Sequence, residues 1–129
     1  MSEFAEFLQN DKFARYLNIE MLETGEGQAV GILKIEQHHL NSHNTVHGGA
    51  IFSLADAVFA AASNSHGPAA VAINVSISFL KAATSGVLTA QAKELSRNPS
   101  LASYEVRVTN EAAELIAIFQ GMVYRKQPR

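Results

Sequence analysis

The chain contains no cysteine. That excludes a disulfide framework, a thiolate nucleophile and a cysteine-based metal site. Charge is scarce too. Between Gln37 and Leu80 a single Lys, Arg, Asp or Glu occurs, and it is Asp56. No apolar run approaches the roughly 20 residues that a membrane span needs. There is no internal repeat, low-complexity segment or interior linker, and the tail from Arg125 to Arg129 reads as frayed. The acidic start Met1-Ser2-Glu3-Phe4-Ala5-Glu6 lacks a signal-peptide pattern. From these absences the expectation is a cytoplasmic protein. The net charge of −2 gives no general pull toward nucleic acid or anionic membrane. What is present is ordinary in bulk: 129 residues with 47% hydrophobic content. That is enough for one domain, 1–129, with its own core.

Asp56 stands in His47-Gly48-Gly49-Ala50-Ile51-Phe52-Ser53-Leu54-Ala55-Asp56-Ala57-Val58-Phe59. A helix that is apolar on every side should be buried. A carboxylate is costly to bury without a partner. No Lys or Arg lies three or four residues away to pair with it. Asp56 therefore reads as a working group, with a pKa raised by desolvation.

Around this helix the periodicities are clear. Residues 2–16 read as one or two short amphipathic helices carrying Phe4, Phe7, Leu8, Phe13 and Tyr16. Gly25-Glu26-Gly27 is a turn, 28–36 a strand, and His38 to Val46 a polar loop. The apolar helix spans about Gly48 to Asn64, and His66-Gly67-Pro68 stops it. Val71, Ile73, Val75, Ile77 and Phe79 alternate with small polar residues, which is strand periodicity. Further strands are predicted at 87–96, around Tyr104 to Thr109, and at 114–125, the first two joined through the Asn98-Pro99-Ser100 turn. Short turns make these three an antiparallel meander. The class is α+β, with an antiparallel sheet of five to six strands wrapped around one long central helix.

Asn41-Ser42-His43-Asn44-Thr45-Val46-His47-Gly48-Gly49 followed by Leu54-Ala55-Asp56 resembles the hot-dog-fold acyl-CoA thioesterases of the phenylacetic-acid-degradation (PaaI-like) type. The resemblance covers nearly the whole chain. It implies hydrolysis of an acyl-CoA to a free acid and CoA without a cofactor. It also implies a homodimer with shared active sites, paired further into a tetramer. Asp56 would be general base or nucleophile, and a Gly48 backbone N–H would polarise the thioester carbonyl. Asn41 would position water or substrate, His47 would shape the turn and contact the thioester, and Gly49 beside it would help bind the substrate. Ala72 stands where some relatives carry a Ser or Thr, with Asn74 or Ser76 as substitutes. The CoA moiety would follow Phe79 to Thr84, with Lys81 and Thr84, and the turn at Ser96, Arg97 and Asn98.

The chemistry suits these residue types. An attacked thioester carbonyl gains negative charge on oxygen, and preorganised N–H donors stabilise it. A helix N-terminus supplies free N–H groups and a positive dipole end, and glycine lets the backbone approach closely. Eight residues separate Gly48 from Asp56, which on a continuous helix is a rise of about 12 Å. Both groups cannot then reach one thioester from the same chain. Two antiparallel copies of the helix could bring Gly48 of one chain opposite Asp56 of the other.

His38, His39, His43 and His47 raise a metal reading, but their polar flanks argue for a loop and no His-Glu-x-x-His motif occurs. No metal is expected. Two alternatives stay open: a hot-dog hydratase or dehydratase, and a non-catalytic acyl-CoA-binding protein. The acyl group is open as well, with Phe52, Phe59 and Phe79 as candidates to line an aromatic or medium-chain pocket.

Overall fold

The longest helix decides the architecture. The computed structural model describes residues 3–126; Ser2 of the expected N-terminal helix and residues 127–129 of the expected frayed tail lie outside them. Two short helices, α1 (Glu3–Gln9) and α2 (Lys12–Tyr16), lead into strands β1 (Ile19–Gly25) and β2 (Gln28–Lys34). A single 3₁₀ turn (Gln37–His39) and a loop precede α3 (Gly48–Asn64). Then come β3 (Ala70–Phe79), β4 (Val87–Arg97), β5 (Leu101–Thr109) and β6 (Leu115–Arg125). Among the described residues no helix is long and apolar enough to cross a membrane.

The six strands form one antiparallel sheet in the order β1-β2-β4-β5-β6-β3. The predicted meander is β4-β5-β6. β3 does not join its sequence neighbour β4 but pairs on the far side of β6, so its other edge is open. β1 was not anticipated: Ile19-Glu20-Met21-Leu22-Glu23-Thr24 has weak alternation, and a bulge between Met21 and Glu23 interrupts its register.

The sheet curls around α3. Leu54, Ala55, Val58, Phe59, Ala61 and Ala62 of the helix are buried against Leu33, Leu88, Val106, Phe119 and their neighbours. Burying one such large apolar side chain stabilises by about 1.5–3 kcal/mol. Phe59 sits at the centre, its ring centroid 5.2 Å from Phe119 and 5.8 Å from Tyr104. Two glycines permit this approach. A Cβ on Gly121 would come within 2.6 Å of Phe59, and one on Gly31 within 2.7 Å of Val58.

α3 has clear stops at both ends. His47 caps its start, its Nδ1 accepting the Gly49 N–H at 2.8 Å. At its end the Ser65 hydroxyl donates to the Ala62 carbonyl and accepts the Gly27 N–H, each at about 2.7–2.8 Å. Gly67 then takes a positive φ of 106°, which glycine adopts without a Cβ clash.

β3 departs from the strict alternation. A bulge between Ala72 and Asn74 adds one residue, Ile73. Ala70 and Ala72 face α3 before it; Val75, Ile77 and Phe79 do so after it, opposite Gly121, Phe119 and Ala117. Val71 thereby turns to the outer face, opposite Tyr124, and Ile73 is left 55% exposed. The bulge reverses which parity of the strand is apolar toward the core.

Candidate active site

Asp56 lies in the middle of α3, half-buried. Among the described residues no cation and no hydrogen-bond donor engages its carboxylate. Burial raises its pKa, and the negative charge of Asp11 raises it further. Loss of water around the carboxylate disfavours its charged form, and a second acid nearby acts in the same direction. Asp11 is held in place as the N-cap of α2, its Oδ1 accepting the Ala14 N–H at 3.0 Å. Its role as a cap before a short amphipathic helix was readable locally. Its nearness to an acid 45 residues on was not.

At the other end of the site, His47 fixes the start of α3. Because its Nδ1 accepts the Gly49 N–H, the neutral ring carries its proton on Nε2. Gly49 thus spends its N–H on the cap. Among the described residues the Gly48 N–H has no acceptor, and it points from the first turn of α3. The Phe79 ring packs on Gly48, within 3.2 Å of where a Cβ would stand. A groove of about 330 Å³ opens there, lined by Val46, Gly48, Ile51, Phe79, Leu80 and Lys81.

The loop before His47 is organised by Asn41. Its Oδ1 accepts from the His43 N–H at 2.9 Å and from the Thr45 N–H and hydroxyl at 3.2 Å each. Backbone bonds from Asn41 to Thr45 and from Asn44 to Asn41 close the turn, with Asn44 at a positive φ of 60° that Asn tolerates. Asn41 thus holds the loop that delivers His47 and Gly48. The rings of His38 and His39 lie side by side, centroids 4.1 Å apart. His39 is buried, bonded to the Glu36 N–H and the Leu17 carbonyl, and no group of three or more metal-ligating side chains forms among the described residues.

The structure revises several placements. Phe59 is core, and the partly buried Phe52 packs tilted against Phe119, ring centroids 5.6 Å apart; Phe79 lines the groove beside Gly48. Asn74 and Ser76 face the outer side of the sheet, so neither can replace a hydroxyl beside Asp56 of the same chain; Ala72 faces inward. Lys81 is paired with Glu114, and Arg97 approaches Glu94 at 3.7 Å. Thr84 lies along a separate groove beside Ile35–Leu40. Ser96 faces outward opposite Ser103. Asn98 spends its Oδ1 on the Ser100 and Leu101 N–H groups at the hairpin turn.

The residues expected to meet CoA also fall at two ends. Phe79 and Lys81 stand by the N-terminus of α3. Ser96, Arg97 and Asn98 stand by its C-terminus, where His66 meets Glu94 at 2.8 Å and Arg125 bonds the Asn98 carbonyl. A 17-residue helix separates them, a length of about 24 Å. Glu94 there also accepts from the buried Tyr104 hydroxyl, a polar cluster that no sequence pattern announced.

A sheet wrapped around one long helix, with an acid on that helix and a free N–H at its start, defines a hot-dog-fold protein. The chain belongs to the thioesterase superfamily, whose family model matches residues 43–117. It is 37% identical over 118 residues to the Escherichia coli acyl-coenzyme A thioesterase PaaI, covering 91% of this chain and 84% of that protein. The solved structure of the E. coli PaaI protein from the phenylacetic acid degradation operon superimposes with a TM-score of 0.92, over 95% of this chain and 90% of that one. A mutant of the Thermus thermophilus phenylacetic acid degradation protein PaaI matches with a TM-score of 0.85 at 36% identity, over 89% of this chain and 99% of that one.

Proposed function

We propose that the chain hydrolyses acyl-CoA thioesters, in sites shared by two copies. The observation that carries this is the unbroken α3, with a free Gly48 N–H at its start and an unpaired, half-buried Asp56 eight residues on. Asp56 takes a proton from water as the water oxygen attacks the thioester carbonyl. The Gly48 N–H of the other copy receives the developing oxyanion. The intermediate collapses by breaking the carbon–sulfur bond, and the CoA thiolate leaves and is protonated. The raised pKa of Asp56 moves it toward the strength that a general base needs near neutral pH. Direct attack by Asp56 through an anhydride is the other route; single turnover in ¹⁸O water puts label into the Asp56 carboxylate itself only on that route, where water attacks the Asp56 side of the anhydride.

The open edge of β3 suits the pairing of two copies, and an antiparallel pair of α3 helices sets Gly48 of one against Asp56 of the other. The same pairing brings the Ser96–Asn98 turn of one chain toward the Gly48 groove of its partner. That unites the two halves of the CoA site that lie apart in one chain. For the dimer of dimers, the outer face offers exposed Val71, Leu101, Met122 and Tyr124, three of them in one cross-strand row.

Subunit complementation tests the shared site. Asp56→Asn and Gly48→Pro, which removes the N–H donor, should each abolish hydrolysis. Mixed dimers confine both defects to one site and leave the other intact. They should regain activity, up to about half of wild type. Inactive heterodimers, verified by sizing, would place both groups in one chain. If Asp56→Asn itself keeps activity within about tenfold, Asp56 is structural and the mechanism proposed here is wrong.

A further inference from the structure

Hydrolysis needs a water molecule held in one orientation, and a carboxylate that takes its proton engages only one of its two hydrogens. The other candidates for the second hydrogen are spent or face away. Asn41 commits its Oδ1 to three donors. Ala72 has no hydroxyl, and Asn74 and Ser76 face the outer side of the sheet. α3 itself carries two hydroxyls. That of Ser63 is buried, the residue being 2% exposed. Ser53 is partly exposed, on the side of α3 that the core leaves uncovered, with Gly49, Phe52, Asp56 and Ala60. It stands three residues before Asp56. Side chains at that spacing are neighbours, about 5–6 Å apart at Cβ, and helical side chains lean toward the N-terminus. The Asp56 carboxylate therefore leans over the turn that carries Ser53.

The Ser53 hydroxyl has a fixed polarity. It donates its proton to the Gly49 carbonyl at 2.7 Å, so its remaining capacity is as an acceptor. An acceptor beside a carboxylate is what the two hydrogens of one water require. We propose that Ser53 is a further water-holding residue of the site: Asp56 accepts one hydrogen of the attacking water and Ser53 Oγ accepts the other. A lone pair of the water oxygen then faces the thioester carbon. Asp56 removes its hydrogen as the carbon–oxygen bond forms. The hydrogen on Ser53 stays with that oxygen and leaves in the carboxylic acid. When the carbon–sulfur bond breaks, the Asp56 proton passes to the CoA thiolate, so acyl-CoA and water give acid and thiol. This rests on the hydrolytic reading given above.

Methanol separates the holding of water from mere support of the helix. Its oxygen carries one hydrogen, which meets Asp56 and leaves nothing to give Ser53. Acetyl-, hexanoyl-, phenylacetyl- and dodecanoyl-CoA are assayed for thiol release with and without methanol, and the acid and methyl ester are quantified. Ser53→Ala should lower kcat for hydrolysis about tenfold at near-constant KM. It should raise the ester-to-acid ratio at least fivefold, because methanolysis is spared. Alanine is the better helix former, so the Tm should not fall. Ser53→Thr, whose hydroxyl can make the same bond to the carbonyl four residues back, should stay within threefold of wild type. If Ser53→Ala hydrolyses within twofold of wild type, or loses acid and ester alike so that their ratio is unchanged, Ser53 does not hold the water. The proposal is then overturned while the hydrolytic reading stands. If wild type releases thiol from none of the four substrates, the hydrolytic reading falls and takes this proposal with it.

Discussion

Asp56 is a residue whose sequence context announced its burial without a partner, and its stability effect has an unusual sign. Its folded-state pKa is raised, by burial first and by Asp11 second. Its contribution to stability is therefore fully present below the unfolded pKa and is lost as pH rises through the folded value. Above that value the fold carries a charge that it would be more stable without. Asp56→Asn should raise the Tm at pH 8, and the gain should shrink toward pH 4. Thermal melts across that range check it; a variant less stable at pH 8 would mean that the carboxylate has a stabilising partner. Activity should follow the same group, kcat/KM falling as acid protonates the base. Asn41 was legible as part of the motif, but its work is visible only in three dimensions, where one oxygen takes three donors. Asn41→Ala should lower kcat about tenfold with little change in KM, because the loop carrying His47 and Gly48 loses its organiser. Asn41→Asp keeps the acceptor and should lose less. Equal losses in both would return Asn41 to direct contact with water or substrate through its amide N–H groups.

At the scale of elements, what could be read from the chain was whatever depends on neighbours within a few positions. α3 has its cap, its apolar faces and its stop in one stretch, and it spans the residues that periodicity assigned. β4, β5 and β6 follow one another through short turns and pair as neighbours in the chain. β1 was hidden because Glu20 and Glu23 dilute its pattern and a bulge interrupts it. In β3 the composition was right and the faces were not, because one inserted residue at Ile73 reverses the parity. That residue marks the open edge: its side chain is more than half exposed on a strand with no neighbour beyond it. If each site needs two chains, as proposed, Ile73→Asp should shift the assembly toward monomer on sizing and reduce hydrolysis in parallel. A monomeric variant with full activity would end the shared-site reading.

For the whole molecule, the legible part of the site was the part that lies within one helix and the loop before it. The rest is assembled from far apart. The charge of Asp11 acts on Asp56, Glu94 meets His66 and Tyr104, and a small cavity draws its walls from α1, α2, β1 and α3. None of these meetings leaves a periodic trace, because each depends on how the sheet curls. The strand order has a consequence for how the molecule comes into being. β3 has one neighbour within the chain, β6, the last strand to be made. From the end of β3 at Phe79 to the start of β6 at Leu115, a ribosome adding about 5–20 residues per second needs roughly 2–7 s. Through that interval an apolar strand waits with both edges bare. The edge proposed to join two finished subunits is thus also the first surface on which two unfinished ones could meet.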